Sequence, residues 1–298
     1  MLAACGGSRG GDQTVLNVGS QKGGTKSFML ASGVLDGAPY KVSWSEFPAA
    51  QHLLEAIGSG AVDVGLTGDA PFQFAYQSGS PIRAVAAQRA PVRPSEALAI
   101  LVPRGSPAHS LADLRGKTVA TTRGSVGHYL VLQALEGAKL PPDAIRLVFL
   151  APGDAKAAFS SGSIDAWATW TPYLTAALHE GARVIVDAQA FPVAYGFDVA
   201  NESAIAGKRA QLDDFLKREA KGLAWARAHP AEYAVVLARE TGLPADIART
   251  VAEKSQRQRA VLDDAVVTAQ RDVAARFERA GALKTSRDIG KGYDQSFK

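Results

Sequence analysis

One pattern occurs twice in this chain, 102 positions apart, and it limits what the chain can fold into. Ser59, Gly60, Val62, Asp63 and Thr67 have counterparts in Ser161, Gly162, Ile164, Asp165 and Thr169, so that both copies read S-G-x-[VI]-D-x-x-x-T. Ser-Gly ends a helix, because glycine accepts the left-handed backbone of a helix stop. A short apolar strand follows, Val62 to Leu66 in one copy and Ile164 to Ala168 in the other. The threonine is expected to open a turn into the next helix, where free N–H groups point outward. Two such units predict two lobes of similar build. In open α/β sheets ligands bind beyond the carboxyl ends of strands, so two facing lobes would line one cleft. The residues after the threonines differ, Gly68-Asp69 against Trp170-Thr171, as a cleft for an unsymmetrical ligand requires.

The rest of the chain reads as two α/β series followed by helices. Strands are expected at Val15–Val18, Tyr40–Trp44, Ile82–Ala87 and Ala97–Val102, alternating with helices that begin near Thr25, Gln51 and Ala70. Pro103-Arg-Gly-Ser-Pro107 interrupts the series and is expected to be a crossing between domains. Strands at Thr118–Thr121, Ile145–Leu150, Arg183–Val186 and Tyr195–Ala200 form a second series. From Lys208 the pattern is helical, with Leu212, Phe215, Leu216 and Leu223 on one face. The expected layout is a tether over 1–13, a discontinuous first lobe over 14–103 and 200–298, and a second lobe over 104–199. A length of 298 residues fits two domains, and no apolar run reaches the 18 residues of a membrane-spanning helix.

Charge excludes one class of partner. The net charge is +4, and basic residues are interleaved with acids, as in Lys217-Arg218-Glu219, which argues against a nucleic-acid footprint. The single cysteine, Cys5, cannot form an internal disulfide. It follows Leu2-Ala3-Ala4 and precedes the glycine-rich stretch Gly6–Asp12. This reads as the remnant of a lipobox, with Cys5 as the lipidated residue and a flexible tether behind it.

An anion site is expected at Thr121-Thr-Arg-Gly-Ser-Val-Gly-His-Tyr129, between an apolar strand and an amphipathic helix. Gly124 allows close approach to the backbone, and the amides of Ser125 to Gly127 would point at the anion along the helix dipole. Sulfonate, phosphate, sulfate or carboxylate would suit it. Of Trp167 and Trp170, one packs in the core while the other walls the ligand's organic part. Gly19–Gly24 has P-loop glycines, but Thr25 stands where lysine is required. Arg123 stands where a nucleophile elbow requires glycine before Ser125. The five histidines show no paired metal spacing, and the only thiol lies in the tail. No enzyme, metal or cofactor is therefore expected.

Several segments together resemble the aliphatic-sulfonate-binding proteins of bacterial ABC importers, in the wider group with taurine- and nitrate-binding proteins. They are Gln21-Lys-Gly23, Glu46-Phe-Pro-Ala49, Thr67-Gly-Asp69, Leu111–Lys117, Arg123-Gly-Ser125 with His128, and Asp165–Trp170 with Pro172-Tyr173. The resemblance implies a type II periplasmic binding protein fold, α/β throughout, with a mixed, mainly parallel sheet flanked by helices in each lobe. It implies a monomeric, lipid-anchored receptor of the periplasm or cell envelope that closes on an organosulfonate and delivers it to a membrane permease. Its implied ligand set places the anion on Gly124, Ser125 and Val126, with Gln21, Thr67, Gly68 and Asp69 opposite. The organic part is expected near Trp170 and Tyr195, and Trp167 and Thr169 complete the expected ligand-binding set. Taurine, nitrate and other oxyanions remain alternatives.

Overall fold

The computed structural model describes residues 14–91, 94–192, 194–254 and 257–297. Cys5 and the expected tether lie outside the described residues. Two sheets organise the chain. The first series is β1 (Val15–Gln21), α1 (Thr25–Ser32), β2 (Lys41–Phe47), α2 (Ala50–Gly58), β3 (Val64–Gly68), α3 (Asp69–Gln77) and β4 (Ile82–Arg89). The second comprises β5 (Leu98–Val102), β6 (Thr118–Thr121), α4 (Val126–Gly137), β7 (Arg146–Phe149), α5 (Pro152–Ser160), β8 (Ala166–Trp170), α6 (Tyr173–His179) and β9 (Arg183–Asp187). The chain then returns through β10 (Tyr195–Asn201), α7 (Glu202–Gly207), α8 (Arg209–Ala228), α9 (Pro230–Thr241), α10 (Ala245–Lys254), β11 (Gln258–Ala260) and α11 (Asp264–Arg279).

The first sheet has the order β11-β4-β10-β3-β1-β2 and the second β7-β6-β8-β5-β9. Parallel pairs come from the α/β crossovers, while β10, β11, β5 and β9 enter antiparallel. Sheet membership corrects the expected domain bounds. Leu98–Val102 pairs with β8 and β9 of the second sheet, and Tyr195–Asn201 pairs with β3 and β4 of the first. The chain therefore crosses between Arg89 and Leu98 and again between Asp187 and Tyr195, earlier than the Pro103–Pro107 break suggested. A proline cluster marks an interruption of regular structure, and here it marks the turn after β5. The two crossings are tied together, since Glu96 N–H donates to Asp187 Oδ2 at 2.8 Å.

The repeated motif does the same structural job twice. Ser59 and Ser161 cap the ends of α2 and α5, and the glycines after them have φ of 80° and 75°. Asp63 exchanges bonds with Asn17 at the start of β1: its N–H donates to Asn17 O at 2.8 Å and its Oδ2 accepts from Asn17 N–H at 2.6 Å. Asp165 repeats this with Thr118 at the start of β6, at 2.9 and 2.8 Å. Each aspartate thus clips the strand that follows it to that strand's parallel neighbour, β3 to β1 and β8 to β6. The threonines differ from expectation. Thr67 and Thr169 lie inside β3 and β8, each 1% exposed, and the helices that follow have Gly68 and Pro172 at their N-cap positions, without side-chain cap bonds.

Helices α8 to α10 cover the first sheet, with Leu212, Phe215, Leu216, Leu223, Leu237 and Val251 in one core beneath them. Helix α11 holds both halves: Phe277, fully buried, packs against Phe74 of α3 at 4.9 Å between ring centroids and against Tyr129 of α4 at 5.5 Å.

Candidate functional site

A cavity of about 290 Å³ lies where the carboxyl ends of β1, β3 and β4 face the amino end of α4. Its position follows from parallel topology, since every crossover helix starts at the same side of its sheet. From the first sheet it is lined by Gln21, Gly24, Thr25, Gly68 and Gln88; from the second, by Ser125, Val126, Trp170 and Pro172. A largely apolar wall runs under the C-terminal helices through Phe28, Leu223, Ala226, Tyr233 and Val251.

The start of α4 is built to present donors. Gly124 has φ of 67°, and a Cβ there would stand 2.7 Å from the Phe74 ring, so two independent constraints select glycine. Its N–H donates to His128 Nδ1 at 3.1 Å, and His128 N–H in turn donates to the N-cap Ser125 Oγ at 3.1 Å. Ser125 N–H donates to Thr122 O at 3.1 Å. Among the described residues, no acceptor meets the N–H groups of Val126 and Gly127, the first two of the helix. The helix-start donors left without a protein acceptor are therefore these two, while Ser125 N–H is taken by Thr122; Gly124 and Ser125 shape the loop. His128 is buried among Phe74, Phe149 and Phe277, and burial, with Arg123 nearby, lowers its pKa to about 4. A neutral ring keeps Nδ1 available as the acceptor for Gly124.

The other expected residues divide. Gln21, Gly68, Trp170 and Tyr195 line the cavity with Ser125 and Val126. Gln21 Nε2 donates to Leu66 O at 3.1 Å, which fixes its amide across the strand ends. Trp170 stands edge-on to Tyr173, with centroids 6.2 Å apart. Trp167 is 2% exposed and packs against Phe159 in the second core, so it is the core member of the tryptophan pair. Thr169 shares its face, by strand alternation, and does not reach the cavity. Thr67 Oγ1 donates to Gly68 O at 3.1 Å and is also outside. Asp69 opens α3, where its Oδ1 accepts from Ala70 N–H at 2.8 Å; it faces an adjoining hollow between α4 and α11 instead.

Arg257, Lys254, Gln88 and Thr25 line the cavity but escaped sequence reading. Lys254 is held by Glu96 at 2.7 Å. A usable signal existed in Arg257-Gln258-Arg259: alternation in a short strand sends both arginines to one face. Among the described residues no carboxylate lines the cavity, so its charge balance favours an anion.

Contacts cross the cleft on all sides. Gln51 Nε2 donates to Arg123 O at 2.9 Å, and Tyr173 Oη donates to Pro48 O at 2.8 Å. Arg276 of α11 meets Glu136 of α4 at 2.6 Å and also donates to Tyr129 Oη. Val126 lies so close to Gly68 that a Cβ there would come within 2.6 Å. These contacts define a closed arrangement of the two halves.

A two-sheet α/β fold with a closed cleft at its strand ends defines a solute-binding architecture. The family model described as "NMT1/THI5 like" matches residues 42–233, and the chain belongs to that family. The aliphatic sulfonates-binding protein of Escherichia coli (strain K12) is 37% identical over 236 residues, 78% of this chain and 73% of that one. The crystal structure of the periplasmic aliphatic sulphonate binding protein from Escherichia coli superposes with a TM-score of 0.81 at 32% identity, over 93% of this chain and 91% of that one. The alkanesulfonate-binding protein from Xanthomonas axonopodis pv. citri bound to MOPS gives 0.86 at 29% identity, over 95% and 99%.

Proposed function

We propose that this chain is the periplasmic solute-binding component of an ABC importer, that it captures an organosulfonate, and that it delivers it to the permease. The observation that carries this reading is the pair of amides without a protein acceptor, Val126 and Gly127, at a helix start whose Val126 lines a closed cleft with no carboxylate among its described lining residues. Sulfonate is a monoanion whose three oxygens accept from such donors, and the helix dipole favours it by roughly 0.3–1 kcal/mol, more where buried. Gln21 and Gly68 stand across from this helix start, and the organic tail lies along Trp170, Tyr195 and the apolar wall. The sulfonate ligands named for the two bacterial relatives support the same chemistry.

Ligand contacts to both halves stabilise the closed arrangement, and closure reports occupancy to the permease. A lining with two cations and no carboxylate disfavours a primary ammonium, so alkanesulfonates are favoured over taurine. Lipid on Cys5 would tether a single copy of the chain to the membrane.

Titration calorimetry with short alkanesulfonates, taurine, sulfate and nitrate tests this reading. Saturable heat from an alkanesulfonate, tighter than from taurine, is expected. Absence of heat from every sulfonate overturns the assignment.

A further inference from the structure

Directly behind the cavity wall of the first lobe lies a buried group of ionisable side chains. Asp198 of β10 and Glu219 of α8 are 1% and 0% exposed, and their carboxyl groups are in contact. Gln88 and Thr25, which line the cavity, hold this pair from the front. Gln88 Nε2 donates to Asp198 Oδ1 and Oδ2 at 3.3 and 3.1 Å, and Thr25 Oγ1 donates to Glu219 Oε1 at 3.4 Å. Arg259 Nη1 stands 3.7 Å from Asp198 Oδ2. Arg257 lies over Gly196, where a Cβ would come within 2.7 Å of its Nη1. Strand register places these groups together: Gln88 pairs with Gly196 on one side and Arg259 on the other, and Asp198 is two residues beyond Gly196 on the same face.

Two carboxylates in contact in a buried site oppose each other's ionisation, so the pair keeps one proton well above the ordinary carboxylate range and gives it up only on the alkaline side. Glu219 Oε2, wholly buried, meets no donor in the structure. A proton on that carboxyl turns it into a donor for the carboxylate beside it. Burial raises both acids, and the Asp198 charge raises Glu219 further, so the proton resides on Glu219. With one proton the two acids and two arginines sum to one positive charge; without it they sum to zero.

We propose that the cleft takes up its anion together with one proton, held by the Asp198–Glu219 pair behind Gln88 and Thr25. This rests on the sulfonate reading above. An anion in the cavity favours the protonated pair, and the protonated pair favours the anion, by the same coupling free energy. The other charged groups on the surrounding elements are engaged elsewhere. Lys254 of α10 meets Glu96, Arg227 of α8 donates to Arg257 O, and Lys26 of α1 is held by Glu46 and Glu240. Helix α9 contributes Tyr233, whose hydroxyl donates to Gly23 O. Among the described residues no histidine bonds to the pair.

The test is calorimetry of the full chain with 1-butanesulfonate, whose head group does not titrate, from about pH 6 to about pH 9 in two buffers of different ionisation enthalpy. Expected are proton uptake that rises toward one per ligand and an affinity that falls on the alkaline side, by at most about tenfold per pH unit. Glu219→Gln keeps a permanent donor for Asp198. It is expected to bind with the acid-side affinity of the parent and to lose both the slope and the uptake. Binding of butanesulfonate with no uptake and a flat profile overturns the proposal and leaves the sulfonate reading intact. The same slope in Glu219→Gln also overturns it. Should that variant not fold, the parent profile decides alone. Absence of butanesulfonate binding at every pH defeats both readings.

Discussion

Gly124→Ala separates two costs that a single glycine carries. Its φ of 67° charges an alanine roughly 1 kcal/mol of left-handed strain, present in every folded state. The second cost depends on closure. The new Cβ would meet the Phe74 ring at 2.7, 2.9 and 3.1 Å, and Phe74 belongs to α3 of the opposite lobe. Overpacking of this kind costs about 1–3 kcal/mol, and it is felt only when the lobes approach. Denaturant unfolding without ligand should therefore show a loss of about 1 kcal/mol, while sulfonate affinity falls by about 5- to 150-fold. Gly162→Ala is the internal standard: its φ is 75° and nothing lies within 4 Å of the added atom. It should show the strain alone, with unchanged affinity. Equal affinity losses in both variants, or undiminished affinity in Gly124→Ala, would refute the reasoning.

Three further outcomes follow from the geometry. His128 is neutral in the folded state with a pKa of about 4, against about 6.5 unfolded, so the unfolded chain binds more protons between these values. Its contribution, of order 3 kcal/mol, is complete above about pH 6.5 and is lost as pH falls toward about 4; urea unfolding across that range reads it. Trp167→Ala should cost about 3–5 kcal/mol of stability as a core deletion, whereas Trp170→Ala should leave stability nearly intact and weaken sulfonate binding, as paired unfolding and calorimetry will show. Asp165→Ala leaves Thr118 N–H without its 2.8 Å acceptor and should lower stability by about 1–3 kcal/mol; an unchanged unfolding midpoint would contradict the clip described for the repeat.

What could be seen in the sequence was local and periodic. The repeated Ser-Gly helix stops carried over directly, because a helix stop depends on neighbours along the chain; the repeated aspartates marked an equivalent position, but their strand-to-strand clip came only with the sheet. The Thr118–Thr121 strand and the Ser125 helix start were legible for the same reason. Lobe membership of Leu98–Val102 and Tyr195–Asn201 was not, since a short apolar strand carries no mark of which sheet receives it. Trp167 and Trp170 could not be told apart without the register that sends one into the core. Arg257, Gln88 and Glu219 come from three distant parts of the chain, and only the β4–β10–β11 pairing and the docking of α8 bring them together. Gly124 was legible as a small residue beside an anion site, but neither its left-handed φ nor the Phe74 ring that makes it sensitive to lobe closure could be read in advance.

The interleaved strand order has a consequence for how the protein is made. Every strand of the second sheet lies between Leu98 and Asp187, so that half of the molecule can be completed from one uninterrupted stretch as it leaves the ribosome. The first sheet cannot. Its β10 sits between β3 and β4, so those two strands have to wait for a segment synthesised more than a hundred residues after β4. The later-numbered half is thus expected to fold first and to serve as a finished anchor at both of its ends, while the amino-terminal strands await the strand that joins them.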